Sequence, residues 1–214
     1  MVRIHARVIL TLILLLALCS VHGAWAGPPT DQLRDGVDRV VKILRDPDLR
    51  GDAKADERKT AITKVADEMF DFAETAKRSL GQHWAPRTPA ERGEFVHLFT
   101  ELVQRTYVSK VDQYNSEMTF RGDTVDGDHA VARTTLLLSK GGAMSLDYLM
   151  HHPRDRWQVY DLNIDGISLV ANYRAQFNKI IRTSSYEALV TTLKSRQAEF
   201  SAPAAAASGA KSVR

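Results

Sequence analysis

Apolar residues recur at helical spacing from Leu33 through Val37, Val40, Val41 and Leu44, and Pro47 stops the run. Thr30 stands where a capping residue is expected. A second helix is predicted from about Ala53, carrying Ile62, Val65, Met69 and Phe70. Asp71 caps a third, Phe72 to Leu80, which Gly81 closes. Thr88 to Glu91 reads TPAE, a capping box with proline at the first helical position. It opens the longest helix, to about Gln113, with a wide stripe of Phe95, Leu98, Phe99, Leu102, Val103 and Tyr107.

At Glu117 the period shifts to two. Met118 and Phe120 lead to the turn Asp126 to Asp128 and a strand from Ala130 to Ser139. After Gly141-Gly142, the residues Met144, Leu146, Tyr148 and Met150 alternate with Ala143, Ser145, Asp147 and Leu149. A turn around Pro153 precedes a fourth strand, Trp157 to Ile164. Asp165-Gly166 then breaks the period, and two helices follow: Ile167 to Arg182, and Tyr186 to Phe200 behind a second capping sequence from Ser184. Helices, a four-stranded antiparallel meander, then helices describe an α+β domain with the sheet curled against several helices. Such a sheet, wrapped on a long apolar helix, can enclose a cavity.

The ends change the picture of charge and compartment. Residues 1–26 begin with Arg3 and Arg7, run apolar from Val8 to Leu18 and finish in Ala24-Trp25-Ala26. That is the pattern of a secretory signal peptide cleaved after Ala26, its apolar run being short for a membrane span. The competing reading, a lipoprotein signal acylated at Cys19, has Leu18 where a small residue belongs. Cleavage after Ala26 removes the one cysteine, so a hydrophobic core must supply the stability. Residues 201–214 hold small residues and nothing large to bury, which reads as a disordered tail. Of 29 Lys and Arg residues, Arg3, Arg7, Lys211 and Arg214 lie in these ends, leaving 25 against 26 Asp and Glu. The remaining span, 27–200, is one domain with no electrostatic case for nucleic acid.

Motifs of common chemistry are missing from the sequence: HExxH, CxxC, GxxxxGK and GxGxxG. Ser168 in GISLV mimics a nucleophile elbow without its last glycine, and a helix cap is the simpler role. His151 and His152 are adjacent on a strand and point to opposite faces, which disfavours a shared metal. Asp67, Glu68, Asp71 and Glu74 fit a solvated helix face, and Asp123, Asp126 and Asp128 fit a hairpin rather than a calcium loop. No metal or cofactor is expected. Phe70, Phe72, Trp84, Phe95, Phe99, Tyr107, Tyr148, Tyr173 and Phe177 fit either a plain core or a ligand cavity, and periodicity does not separate the two.

VYDLNIDGISLVANYRAQFNKII (159–181) followed by SYEALVTTLK (Ser185 to Lys194) resembles the MlaC family, also called toluene-tolerance auxiliary proteins. FDFAETAKRSLGQHW (Phe70 to Trp84) and FVHLFTELVQRTY (Phe95 to Tyr107) resemble its helical half, so the likeness runs in order from Asp31 to Phe200. LLLSKGGAMSLDYLMHH is more apolar than the family pattern, and the tail is not a family feature. The resemblance implies a periplasmic, non-enzymatic carrier of phospholipid between an outer-membrane lipoprotein complex and an inner-membrane ABC transporter complex, serving lipid asymmetry. It also turns the aromatic set into a cavity lining, joined by Val103, Leu146 and Val159. Ile167, Val170, Tyr173 and Phe177 would face the cavity with the meander opposite, and Arg174 would stand near a head group. A hopanoid or other polycyclic lipid is the alternative cargo. The alternative of another class is a small-molecule enzyme with a cone-shaped fold, for which Asp147 and Asp161 are the strand carboxylates to consider.

Overall fold

The computed structural model describes residues 28–107, 117–138 and 141–201, the side chains of 200 and 201 excepted. The expected signal peptide, the end of the long helix beyond Tyr107, Ser139 and the tail past Ser201 lie outside these residues.

Helix α1 spans Pro29–Arg45. Its first turn is set by Pro29 rather than by a Thr30 cap: Thr30 lies inside the helix and its hydroxyl donates to Asp123 Oδ1 at 2.7 Å. Helix α2 is Ala55–Met69 and α3 is Phe72–Leu80. As expected, Asp71 caps α3 by accepting from Glu74 N, and Gly81 follows with φ +58°. Helix α4, Pro89–Tyr107, starts on the reciprocal box: Thr88 N donates to Glu91 Oε2 at 2.7 Å and Glu91 N donates to Thr88 Oγ1.

The sheet has five strands among the described residues, one more than the meander expected from alternation. They are β1 (Met118–Asp126), β2 (His129–Leu137), β3 (Ala143–His151), β4 (Gln158–Ile164) and β5 (Ile167–Ser168), antiparallel and in sequence order. The extra strand arises at Asp165-Gly166, both with positive φ, a tight turn that pairs Ile167 with Ile164. Helix α5 therefore begins at Leu169, two residues later than expected, and runs to Thr183; α6 is Tyr186–Ser201.

Two separate cores form. In the first, Leu33 of α1 covers the inner sheet face of Ala130, Ala132, Leu136, Leu146, Tyr148, Met150 and Val159. In the second, Phe95, Leu98, Phe99 and Leu102 of α4 pack with Ala76 and Leu80 of α3, Tyr173 and Phe177 of α5, and Leu189 and Leu193 of α6. The long helix thus belongs to a helical lobe and is not the rod around which the sheet folds. The lobes join along β4.

Candidate functional site

The joint is built from the short link between α2 and α3. Phe70 forms a parallel bridge with Val159, and Asp71 N donates to Val159 O at 2.9 Å. Thr75 Oγ1 donates to Tyr160 O at 3.0 Å, and Asp71 Oδ2 meets His151 Nε2 at 3.1 Å. The Arg78 guanidinium lies 4.0 Å over the Tyr160 ring. These contacts extend the sheet edge by one residue pair and anchor the helical lobe to it.

An open cleft lies on each side of this link. The first, about 610 Å³, is lined by Phe70 and Phe72, whose rings stack 5.5 Å apart, by Pro153, and by the polar side chains of Asp67, Asp71, Thr100, Arg154 and Gln158. The second, about 520 Å³, has Leu33, Met69, Met150, Trp157 and Val159 for its floor. Each has the volume of an ordinary small-molecule pocket. Asp155 and Arg156, in the loop between β3 and β4, line both.

The residues expected to line a cavity divide between the two cores. Phe70 and Phe72 flank the first cleft and Val159 floors the second. Leu146 and Tyr148 continue the same inner sheet face, where burial pushes the Tyr148 hydroxyl up to about 12 against a hydrogen bond with Thr134. Phe95, Phe99, Tyr173 and Phe177 instead interlock within the helical lobe. The Phe99–Tyr173 and Phe95–Phe177 rings meet edge to face at 5.0 and 5.7 Å, which fills space rather than lining it. Trp84 and Val103 pack against that cluster.

Val170 is buried where α5 begins, its N–H held by Asp161. Two expected positions are corrected: Ile167 is 66 % exposed in β5, because its strand pairing turns it outward, and Tyr107 is exposed at 36 %. Arg174 is not at either cleft, since its Nε donates to Arg78 O at 2.8 Å beside Gly81. Sequence reasoning missed Leu33, Met69, Met150 and Trp157 as cleft residues. They had been visible only as apolar positions of α1, α2 and the strands.

The polar candidates have structural partners. Asp161 is buried and accepts from Val170 N at 3.0 Å, Leu162 N at 2.8 Å and Ser168 Oγ at 2.6 Å. Ser168 Oγ in turn accepts from Ala171 N, so the serine and the carboxylate together cap α5. Glu68 pairs with Arg39 at 2.6 Å, a hydrogen bond that holds its carboxyl below the usual range. Glu74 pairs with Lys77 and Arg78, and Asp67 accepts from Gln104. Among the described residues, no group of three His, Cys, Asp or Glu side chains is placed to hold a metal ion, and no helix is long and apolar enough to cross a membrane.

A family model described as MlaC protein matches residues 34–195. The fold is also similar to the solved structure of a phospholipid-binding protein from Ralstonia solanacearum in complex with a phospholipid. The sequences are 26% identical, the match covers 82% of this chain and 100% of that one, and the TM-score is 0.72.

Proposed function

The chain belongs to the MlaC family, and on that premise we propose that it is a periplasmic carrier of phospholipid. The observation that carries the reading is the cleft beside the Phe70–Val159 bridge that Leu33, Met69, Met150, Trp157 and Val159 line, in a fold similar to that of a protein solved with a phospholipid. The remaining half-buried apolar side chains of the inner sheet face, Met144, Leu162 and Ile164 among them, extend the same surface.

The energetics explain why a carrier is needed. Two acyl chains hold about 30 methylenes at about 0.8 kcal/mol each, so full exposure to water costs on the order of 20 kcal/mol. A protein that covers most of that surface lowers the barrier to crossing an aqueous gap. It need not bind more tightly than a bilayer. The carrier is exported by the 1–26 signal, cleaved after Ala26. It receives and delivers lipid between an outer-membrane lipoprotein complex and an inner-membrane ABC transporter complex, in the service of outer-membrane lipid asymmetry.

Native mass spectrometry of protein purified from the periplasm without detergent tests the reading. A bound mass equal to a diacyl phospholipid is the expected result. Lipid-free protein that also takes up no phospholipid from vesicles refutes it, and a polycyclic lipid mass would replace the cargo.

A further inference from the structure

Gly36 stands in the middle of α1, where glycine weakens a helix relative to alanine. It is buried, and the space a side chain would fill is taken. A methyl group on Gly36 would stand 2.7 Å from Cγ and 2.8 Å from Cε of Met69, and nearer still to Sδ. The thioether of Met69, the last residue of α2, therefore lies directly on the α1 backbone. One turn further along α1, Arg39 pairs at 2.6 Å with Glu68, the residue before Met69. These neighbouring contacts clamp the C-terminal half of α1 onto α2. The N-terminal half is held to the sheet side, by Leu33, by Thr30 on Asp123 and by Gln32 on Trp157 N.

The clamp can be reached from outside. Met69 is half-buried and lines the open second cleft, to which α1 contributes Asp31, Gln32, Leu33 and Asp35. The other methionines among the described residues, Met118, Met144 and Met150, belong to the inner sheet face, and Met150 is only 2 % exposed.

We propose that Met69 is an oxidation site whose sulfoxide unlatches α1 from α2. The oxidant is a peroxide. A lone pair of Sδ attacks one peroxide oxygen, the O–O bond breaks and an S–O bond forms. With hydrogen peroxide, the departing hydroxide takes the proton left on the new S–OH and leaves as water. The sulfur loses two electrons and the peroxide gains them. The product is polar, and it has grown at the one atom with least room to grow. On the α1 side the new oxygen meets Gly36, whose amide is committed within the helix, and Arg39, which is committed to Glu68. A sulfoxide kept there lacks a donor, which is costly. On the cleft side it meets water and the Arg156 guanidinium that lines the same cleft. The oxidised side chain therefore turns into the cleft and leaves Gly36 uncovered. Reduction by a methionine sulfoxide reductase reverses the change. The device does not depend on what the cleft holds.

The test treats the purified protein with limiting hydrogen peroxide. It follows sulfoxide at each methionine by peptide mass spectrometry, together with amide hydrogen exchange along the chain. Met69 is expected to oxidise ahead of Met150. Exchange across residues 37–45 should rise about tenfold in step with Met69 sulfoxide, while β2 and β3 keep their protection. Methionine sulfoxide reductase should restore the slow exchange. Met69→Leu keeps an apolar side chain of similar volume, so it should fold with wild-type exchange in α1 and hold it under the same peroxide dose. Met69→Gln, which carries a fixed polar group near the sulfur position, should exchange faster in α1 without any oxidant.

A Met69 that stays reduced while Met118 or Met144 is oxidised overturns the site. Met69 sulfoxide with unchanged α1 exchange overturns the latch, and so does an equal loss of protection in peroxide-treated Met69→Leu. Should Met69→Leu fail to fold, the wild-type comparison of Met69 sulfoxide with α1 exchange decides alone.

Discussion

Replacing Asp161 by alanine leaves three donors without their acceptor. Val170 N, Leu162 N and Ser168 Oγ all point at its carboxylate, at 3.0, 2.8 and 2.6 Å, in a site only 7 % exposed. Ser168 keeps its own cap on Ala171 N, so the helix does not lose every N-terminal acceptor. Loss of a cap costs roughly 1 kcal/mol. A buried amide left unpaired at Val170 adds about 1–3 kcal/mol. The expected loss is therefore about 3 kcal/mol. With a urea slope of about 2 kcal/mol/M, the unfolding midpoint should fall by roughly 1.5 M. Asp161→Asn keeps an acceptor for Val170 N and should recover more than half of this. Equilibrium urea unfolding followed by circular dichroism is the assay. A midpoint for Asp161→Ala within about 0.3 M of wild type, combined with lost biological activity, would show that the carboxylate has a chemical task and is not a cap.

Val170→Glu should leave little soluble protein, because Val170 is 3 % exposed and its amide is held by the Asp161 carboxylate; a folded, lipid-loaded variant would show that this position faces a cavity. Phe72→Asp should fold, since an acid in the first turn of α3 suits the helix dipole, yet it should carry several-fold less lipid by native mass spectrometry; unchanged loading would place the chains elsewhere. The Glu91 carboxyl is held below the usual range, chiefly by the Thr88 amide and then by its hydroxyl. A folded-state value depressed in this way contributes stability above the unfolded value of about 4.3 and loses it as pH falls through the lower folded value. The melting temperatures of wild type and Glu91→Gln should therefore differ by a constant amount from pH 7 to about 5.5 and converge below about pH 4. A gap that widens on acidification would contradict this sign.

What was legible in the sequence was local. Asp71 before α3, the TPAE box before α4 and the alternation of Met144 to Met150 each depend on neighbours a few residues away, and each appears where expected. The start of α5 was misread by two residues because its cap comes partly from Asp161, across a turn and a two-residue strand. A helical stripe says which face is buried and nothing about its partner. Tyr173 and Phe177 could therefore be read as facing the meander when they face Phe95 and Phe99. The cleft floor joins Leu33, Met69, Met150 and Val159 from four elements, a grouping that exists only after folding. Asp155 and Arg156 gave no signal at all, being ordinary residues of a turn.

The division into two cores has a consequence for the order in which the chain can fold. The helical lobe is interrupted: α3 and α4 precede the sheet in the chain, while α5 and α6, which cover Phe95 and Phe99, come after it. As the polypeptide emerges N-terminus first during synthesis, the sheet and α1 can close as soon as β4 is out. The aromatic face of α4 then waits, uncovered, until Leu189 and Leu193 arrive. A chain truncated after Ile164 should therefore retain strands but aggregate through Phe95, Phe99 and Leu102, and chaperones should engage that half-finished state rather than the finished protein.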